Sequence, residues 1–377
     1  MRVVWITRSF LDYRIPVYNE LNKLLKGNFL LVYNSEYIPK RVDSKVKEVL
    51  KENAIGLKGE LKIGPDDFGD FLANKKVRVP FQPKLISKVK SFKPDIIISD
   101  GFFQWTYAAL WIRTFSKIPH VMCYERTKHT ERNAQWYRTL YRKVVSKWID
   151  SYCASGELCG DYLKQLGVSK NKITFGHMVA DLSGISQSNE PECKTDVVTY
   201  LYVGKLIERK GISQLMEAWH SFQKDKKEKV ILKIIGNGEL LDYIKSFIKY
   251  KNLSNIKLTG YVDYDQMYKV YNLADVFLMP TLEDNWSLVV PEAMANNLPI
   301  LCSEYNGCWP EYVTKENGWV FNPLNKDDFQ NKLEESYKTT NLKAMGKNSK
   351  IIINNHTPLH AANAILEAIK LADKQLK

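Results

Sequence analysis

The sequence predicts an α/β protein of two doubly wound, Rossmann-like domains with a cleft between them. Three observations carry this reading. Short runs rich in Val, Ile and aromatic residues alternate with helical patterns, as strands do when right-handed crossovers join them in a parallel sheet. A polar, aperiodic stretch, Asp181 to Thr195 with Pro191 inside it, splits the alternation into two series. And 377 residues suffice for two domains that each bury a core.

In the first series the strand-like runs are Arg2–Thr7, Phe29–Asn34, Asp95–Asp100, His120–Glu125, Ser151–Ser155 and Ile173–Met178. Helical patterns lie between them, among them Val17–Leu25, Gln82–Phe92, Thr106–Phe115 and Glu157–Leu166. Residues 42–80 are Lys-rich with scattered glycines and read as a long excursion near the acceptor cleft. The second series runs Val197–Val203, Val230–Ile235, Ile256–Leu258, Val276–Met279, Ile300–Cys302 and Trp319–Phe321. The expected domains are therefore 1–185 and 195–355. An Ala-rich amphipathic tail at 356–377 follows, with a helix over Thr357–Leu376.

Composition is that of a globular protein, 45 % apolar and 26 % charged. No apolar run reaches the roughly 18 residues of a membrane span. The chain enters its first strand without a cleavable leader. Six cysteines show no CxxC or metal-ligand spacing and read as buried thiols of a reducing cytoplasm. Charge is uneven: residues 1–190 hold 31 Lys/Arg against 19 Asp/Glu, and residues 191–377 hold 24 against 23. An excess confined to one half suggests an anionic partner for that half, such as phosphate-bearing lipid, a membrane surface or nucleic acid, or else a solvated basic face.

The most informative stretch is Met279 to Ser303. An apolar run stops at Pro280, and an acidic turn follows, Glu283-Asp284-Asn285. Ser287 reads as the N-cap of a short helix that tolerates Pro291 in its first turn, and Asn297 can end it in a left-handed conformation. The amides of Leu288 and Val289 then sit unpaired at the positive end of the helix dipole, which suits a diphosphate. Glu292, one turn in, can point back to accept bonds from ribose hydroxyls.

This stretch resembles the signature of glycosyltransferase family 4, the retaining GT-B enzymes. That signature has two acidic residues eight positions apart, followed by Ala-Met-Ala; Asp284 and Glu292 hold those positions, with Asp where the family usually has Glu. The resemblance is strong over 195–325 and weak over the first 190 residues. It implies that Lys205 and Lys210, in Gly-Lys-Leu-Ile-Glu-Arg-Lys-Gly, hold the donor diphosphate, with Lys205 replacing the usual Arg. It implies a donor turn at Gly236, nucleobase contact by the backbone at Val262, and donor contacts from Asn285, Trp286 and Ser287. Asp284 would orient the donor sugar. Asn306 to Glu311 resembles the loop that closes the donor site. The tail helix would cross back to the first domain.

For parallel sheets, ligands sit outside the carboxyl ends of the strands. In the first domain this rule selects the loops Arg8–Pro16, Gly101–Gln104 and Arg126–Asn133. Arg14 could offer a charged fork to phosphate where relatives have a Gly-rich turn, or stand as a surface Arg before a helix. Glu125 and Arg126 occupy a strand end as candidate sugar or acceptor contacts. His129 lies a few residues past the point where relatives place a His. Arg132 to Trp148 mixes Trp, Tyr and Leu with Arg and Lys at helical spacing; it reads as a helix on an anionic membrane surface or as a packed helix with a cationic outer side. Asp263-Tyr264-Asp265 has the spelling of a metal-binding motif, but an N-cap and first-turn acid explain it more simply.

The reading is a retaining, metal-independent hexosyltransferase. Its donor is a nucleotide diphosphate sugar, and its acceptor is a glycan or polyprenyl-diphosphate-linked glycan. It belongs to cell-surface polysaccharide synthesis on the inner face of the membrane, needs no cofactor and binds no nucleic acid. A sugar-nucleotide-binding protein of the same fold without turnover is the alternative. Neither strand series is followed by a Gly-x-Gly-x-x-Gly turn, which argues against a dinucleotide dehydrogenase.

Overall fold

In the computed structural model, residues 1–63, 79–183, 196–263 and 266–374 are described. They form two units. Unit 1 holds 1–63, 79–181 and 356–374; unit 2 holds 182–183, 196–263 and 266–355.

Unit 1 is built on seven parallel strands: β1 (Val3–Thr7), β2 (Phe29–Asn34), β3 (Ala54–Leu57), β6 (Ile96–Asp100), β7 (His120–Tyr124), β8 (Ser151–Ala154) and β9 (Ile173–Phe175), in the order β3-β2-β1-β6-β7-β8-β9. A separate antiparallel pair, β4 (Leu61–Ile63) and β5 (Val79–Phe81), stands beside it. Strand alternation divides the apolar runs between two faces. Val3 and Trp5 look toward α1 (Arg14–Leu24) and α2 (Lys40–Leu50). Val4 and Ile6 look toward α3 (Leu85–Ser91) and α4 (Thr106–Ser116). On that second face Met122, Tyr124 and Tyr152 pack with α5 (Trp136–Val145) and α6 (Glu157–Gln165).

Two expectations are corrected here. The stretch from Val42 is not simply an excursion: α2 buries Val42, Val46 and Leu50 on one stripe, and β3 pairs with β2 as a further strand of the sheet. The lysines of α2 lie on its outer side and dilute the apolar stripe in sequence. Residues 64–78 of that stretch lie outside the described residues. The basic aromatic helix begins at Trp136, not Arg132, and ends in a 3-10 turn, Ser146–Trp148.

Unit 2 has six parallel strands: β10 (Val198–Val203), β11 (Val230–Ile235), β12 (Ile256–Gly260), β13 (Val276–Met279), β14 (Ile300–Ser303) and β15 (Gly318–Phe321), ordered β12-β11-β10-β13-β14-β15. Its helices are α7 (Ile212–Phe222), α8 (Leu241–Lys251), α9 (Met267–Asn272), α10 (Val289–Ala295), α11 (Trp309–Tyr312), α12 (Lys326–Lys338) and α13 (Leu342–Asn354). Asn297 ends α10 at φ +57°, as its side chain allows.

The last helix, α14 (Pro358–Lys374), belongs to unit 1. It buries Ala361, Ala362, Ala364, Ala368 and Ala372. Such small side chains let its backbone come close enough to accept hydrogen bonds from Thr174 (2.9 Å, at Ala364) and Ser151 (2.6 Å, at Ala368). Cys123, Cys153, Cys159, Cys302 and Cys308 are buried free thiols; Cys193 lies outside the described residues. No described helix is long and apolar enough to cross a membrane.

Candidate functional site

The strand order of unit 2 turns over between β10 and β13. Outside the carboxyl ends of two such strands an open parallel sheet receives its ligand. Three loops meet there. After β10 the chain tightens into a 3-10 turn, Glu208–Lys210. The Arg209 carbonyl accepts from the amides of Leu282 (2.9 Å) and Glu283 (3.3 Å), and the Arg209 guanidinium donates to the Glu283 carbonyl at 2.8 Å. Gly211 follows at φ +73°; a Cβ there would fall 1.9 Å from the Pro280 carbonyl oxygen, so only glycine lets the turn sit on the loop after β13. From the loop after β14, the Gly307 amide donates to the Asp284 carbonyl at 2.9 Å, and the Tyr305 carbonyl accepts from the Asp284 amide at 3.2 Å.

Asp284 is the hub of these loops. Its Oδ2 is ion-paired with Lys210 Nζ and accepts from the Ser287 hydroxyl at 2.6 Å. Its Oδ1 accepts from the Trp286 amide at 3.3 Å. Burial alone would raise this carboxyl's pKa. The Lys210 charge and hydrogen bond, the Ser287 bond and the Arg209 charge hold it below the ordinary value instead.

This network corrects the expectation for Ser287. The helix starts at Val289 with Leu288 in the cap position and no side-chain cap bond. The serine hydroxyl donates to the charged Asp284 carboxylate at 2.6 Å and caps no helix amide. The amides of Leu288 and Val289 have no acceptor among the described residues.

Glu292 sits one turn into α10 and accepts from the Tyr271 hydroxyl at 2.8 Å. Burial pushes its pKa up to about 7, against the opposing pull of that bond. Its neutral form is therefore favoured over that of a free glutamate, and a ligand that donates to it would favour the ionised form.

The structure thus brings Lys210, Asp284, Asn285, Trp286 and Ser287 into one loop cluster, with Leu288, Val289 and Glu292 at the start of α10. Lys205 is exposed on the loop after β10, with no acidic partner among the described residues. Val262 follows the end of β12 and is half-buried. Gly236 has another explanation than ligand approach: a Cβ there would meet the Gly204 carbonyl oxygen at 1.8 Å, so the missing side chain serves the packing of two strand ends. Sequence reasoning missed Arg209, which fastens the β10 turn to the acidic loop. Asn306 opens the loop singled out in the sequence, and its Oδ1 accepts from the amides of Ser287 and Cys308 at 3.4 Å each. Arg209 stands beside Lys210 in Glu-Arg-Lys-Gly, and that charged run was the available signal.

In unit 1 the corresponding switch point lies between β1 and β6. Arg14 is placed there, but not as a fork open to phosphate. Its Nη2 donates to Asp100 Oδ1 at 3.3 Å and its Nη1 to His177 Nδ1 at 3.1 Å, while the other Asp100 oxygen accepts from Trp5 Nε1 at 3.2 Å. Arg14 is 6 % exposed, and a guanidinium that deeply buried must be paired. His177 donates from Nε2 to the Tyr124 carbonyl at 2.9 Å; burial, then the Arg14 charge, lowers its pKa to about 3. Glu125 and Arg126 do follow β7, half-buried, and Arg126 lies 3.6 Å from Glu131. His129 is half-buried in the turns that follow. Asp263-Tyr264-Asp265 falls partly outside the described residues. Among the described residues no group of three or more His, Cys, Asp or Glu is arranged to hold a metal ion.

A family model described as glycosyl transferases group 1 matches residues 186–354, and one described as Glycosyltransferase Family 4 matches residues 48–182. The chain belongs to glycosyltransferase family 4. The first match contains every unit 2 residue singled out above. Among relatives of this family-4 chain, the sulfoquinovosyl transferase SQD2 of Arabidopsis thaliana is 26 % identical over 67 % of this chain and 51 % of its own length. An uncharacterized glycosyltransferase of Methanocaldococcus jannaschii, MJ1069, is 26 % identical over 58 % and 57 %. A second from that organism, MJ1178, is 26 % identical over 40 % and 41 %. The chain thus spans about two fifths to three fifths of these curated relatives. Among solved structures, Anabaena Alr3699/HepE in complex with UDP superposes with a TM-score of 0.74 at 13 % identity, covering 98 % of this chain and 100 % of that one. The lipopolysaccharide outer core galactosyltransferase WaaB superposes at 0.72 and 15 %, covering 98 % and 99 %. The fold of the family-4 chain is the GT-B architecture.

Proposed function

We propose that this family-4 glycosyltransferase is a retaining hexosyltransferase. It moves a sugar from a nucleotide diphosphate donor to a hydroxyl of a glycan or polyprenyl-diphosphate-linked glycan, in the assembly of a cell-surface polysaccharide such as capsule or O-antigen. It works from the cytoplasmic side as a peripheral membrane protein, with the basic unit 1 toward the lipid. The observation that carries the reading is the Lys210–Asp284 pair at the unit 2 switch point, in the loop that leads into the helix of the half-buried Glu292. Relatives lend support: HepE is described with UDP and with UDP-glucose, and WaaB is named a galactosyltransferase.

In this reading Glu292 accepts from the ribose hydroxyls. The Leu288 and Val289 amides, with Lys210 and Lys205, receive the diphosphate. Asp284 holds Lys210 in place and orients hydroxyls of the donor sugar. The bond from the anomeric carbon to the diphosphate oxygen breaks, and the acceptor oxygen bonds that carbon on the same face. The acceptor's proton passes to the departing phosphate, so no protein nucleophile and no metal is required. The protein's contribution is electrostatic: fixed cations and amide dipoles that meet charge as it develops on the leaving group.

One feature favours a second reading, a sugar-nucleotide-binding protein without turnover: both oxygens of Asp284 already have protein donors, and Lys205 stands exposed. A panel of nucleotide sugars read by thermal shift, followed by transfer from the best donor to polyprenyl-linked and free glycan acceptors, separates the two. Product formation that disappears in Glu292→Ala supports the transferase; binding without product supports the second reading; no stabilisation by any nucleotide sugar overturns both.

A further inference from the structure

Two helices of unit 1 carry large apolar side chains outward. Phe103, Tyr107, Trp111 and Phe115 recur every four residues along α4 and the loop before it; Phe103, Trp111 and Phe115 are exposed, Phe115 by 70 %, while Tyr107 between them is half-buried and stacks on Phe81 at 5.8 Å. Trp136, Leu140, Val144 and Trp148 do the same along α5 and the turn after it; Trp136 is 77 % exposed. The two rows are joined. Tyr141 of α5 stacks on Phe103 with ring centroids 5.0 Å apart, and its hydroxyl donates to the Phe102 carbonyl at 3.4 Å. Exposed apolar side chains gathered on two touching segments mark an interaction surface.

The charge around the rows says what kind of partner fits. Residues 101–148 contain nine Lys/Arg and two carboxylates, Glu125 and Glu131. Glu131 is buried beneath α5, 2.7 Å from Arg142 and 3.6 Å from Arg126. Asp150, just beyond, is held by Arg113 at 2.8 Å. The exposed charges beside the two rows are Lys117, Lys143 and Lys147, and Lys90 stands 5.2 Å over the Trp111 ring. Aromatic rings rimmed by lysines suit the boundary between acyl chains and lipid phosphates, where rings lie at headgroup depth and long cationic stems reach the phosphates.

We infer that α4 and α5 together form one docking face for an anionic lipid bilayer, with both aromatic rows seated at headgroup depth. The inference deepens the membrane location proposed above: it names the surface, and it assigns α4 a share that the charge pattern of α5 alone does not give.

The test uses the full chain and co-sedimentation with two kinds of vesicle, phosphatidylcholine alone and phosphatidylcholine with phosphatidylglycerol. Wild type should bind the anionic vesicles and release with salt. Trp111→Ser with Phe115→Ser on α4, and Trp136→Ser with Leu140→Ser on α5, should each lower binding by about tenfold or more. Phe115→Glu alone, at an open position, guards against a double variant that fails to fold and should also bind less. Lys143→Gln with Lys147→Gln should weaken binding most at low salt. Unchanged binding by both α4 variants, or equal binding to neutral vesicles, overturns the two-helix face. So does concentration-dependent dimerisation of a wild type that ignores vesicles, which would make the face a protein interface. Thermal shift with nucleotide sugars on the same proteins reports on unit 2 separately. Docking without donor binding in wild type would therefore sink the transferase reading and leave this face standing.

Discussion

The two switch points share a topology and are filled in opposite ways. In unit 1 the crevice between β1 and β6 is occupied by the protein's own ion pair, Arg14 with Asp100, backed by a neutral His177 and the Trp5 indole. In unit 2 the crevice between β10 and β13 holds the Lys210–Asp284 pair, yet leaves two helix-tip amides without acceptors among the described residues and a glutamate whose pKa burial raises. The same fold element is filled by the protein's own ion pair in one unit and, in the other, keeps donors that suit the diphosphate proposed above. What decides is whether the side chains that reach the crevice satisfy one another. Strand order locates a candidate site, and the accounting of donors and acceptors shows whether it is open.

The comparison breaks most severely at the unit 1 ion pair. Asp100→Ala should destabilise the chain by about 3–5 kcal/mol, because it strands the Arg14 charge in a buried setting. Chemical denaturation should register this, while nucleotide-sugar affinity of the remaining folded protein stays within about twofold. Loss of donor affinity by folded protein would show that the unit 1 crevice takes part in donor binding.

In unit 2, Lys210→Met should lower kcat/KM about 100-fold through lost stabilisation of the leaving diphosphate. It also leaves Asp284 without its cation, so the acid limb of stability should move up in pH: a carboxylate with a depressed pKa stabilises above its unfolded value and loses that contribution as pH falls through the folded one. Unchanged turnover would remove Lys210 from the mechanism.

Protonation sharpens the contrast, since the two crevices should respond to pH in opposite directions. His177, at about 3, and the buried His120, at about 4, both have pKa values lowered by burial from 6.5. Their neutral forms stabilise unit 1 above the unfolded value, and that contribution falls as pH drops from about 6.5 toward 4. Glu292, raised from 4.5 to about 7, stabilises unit 2 when protonated and loses that contribution as pH rises from 4.5 through 7. Hydrogen exchange read by region, corrected for intrinsic rates, should show protection of β1 and α1 falling between pH 7 and 5 while that of β13 and α10 is held or rises. Parallel slopes would refute the assignment.

Gentler still is Glu292→Gln, which keeps an acceptor for Tyr271. It should flatten the unit 2 slope with little effect on folding, and weaken donor binding about tenfold at pH 8, where wild type presents a full carboxylate. The smallest effect belongs to Lys205→Ala. Its charge is exposed and screened, so donor affinity should drop about two- to threefold and less at high salt.

Much of the fold was legible because parallel strands buried on both faces read as unbroken apolar runs; Val3-Val4-Trp5-Ile6 and Val276–Met279 are examples. The unit 2 cluster was legible because its residues lie together in sequence: Asp284 to Glu292 is one loop and one helix turn. The unit 1 ion pair was not, because Arg14, Asp100 and His177 come from three distant segments, and no local pattern tells a paired arginine from a free one. The Ser287 hydroxyl was misassigned for a related reason: as a cap and as a donor to Asp284 it has the same spelling. The α4 row of Phe103, Tyr107, Trp111 and Phe115 has a plain four-residue period, and the outward direction of Phe103, Trp111 and Phe115 was the hidden part, since a core stripe has that period too.

The Ala-rich α14 shares one core with Val3, Trp5 and Tyr18, although all of unit 2 is translated between them. During synthesis the earlier unit therefore waits with that apolar face uncovered until the later one has left the ribosome. The half of the protein made first is finished last, and a chaperone that binds extended apolar strands would find its target in that interval.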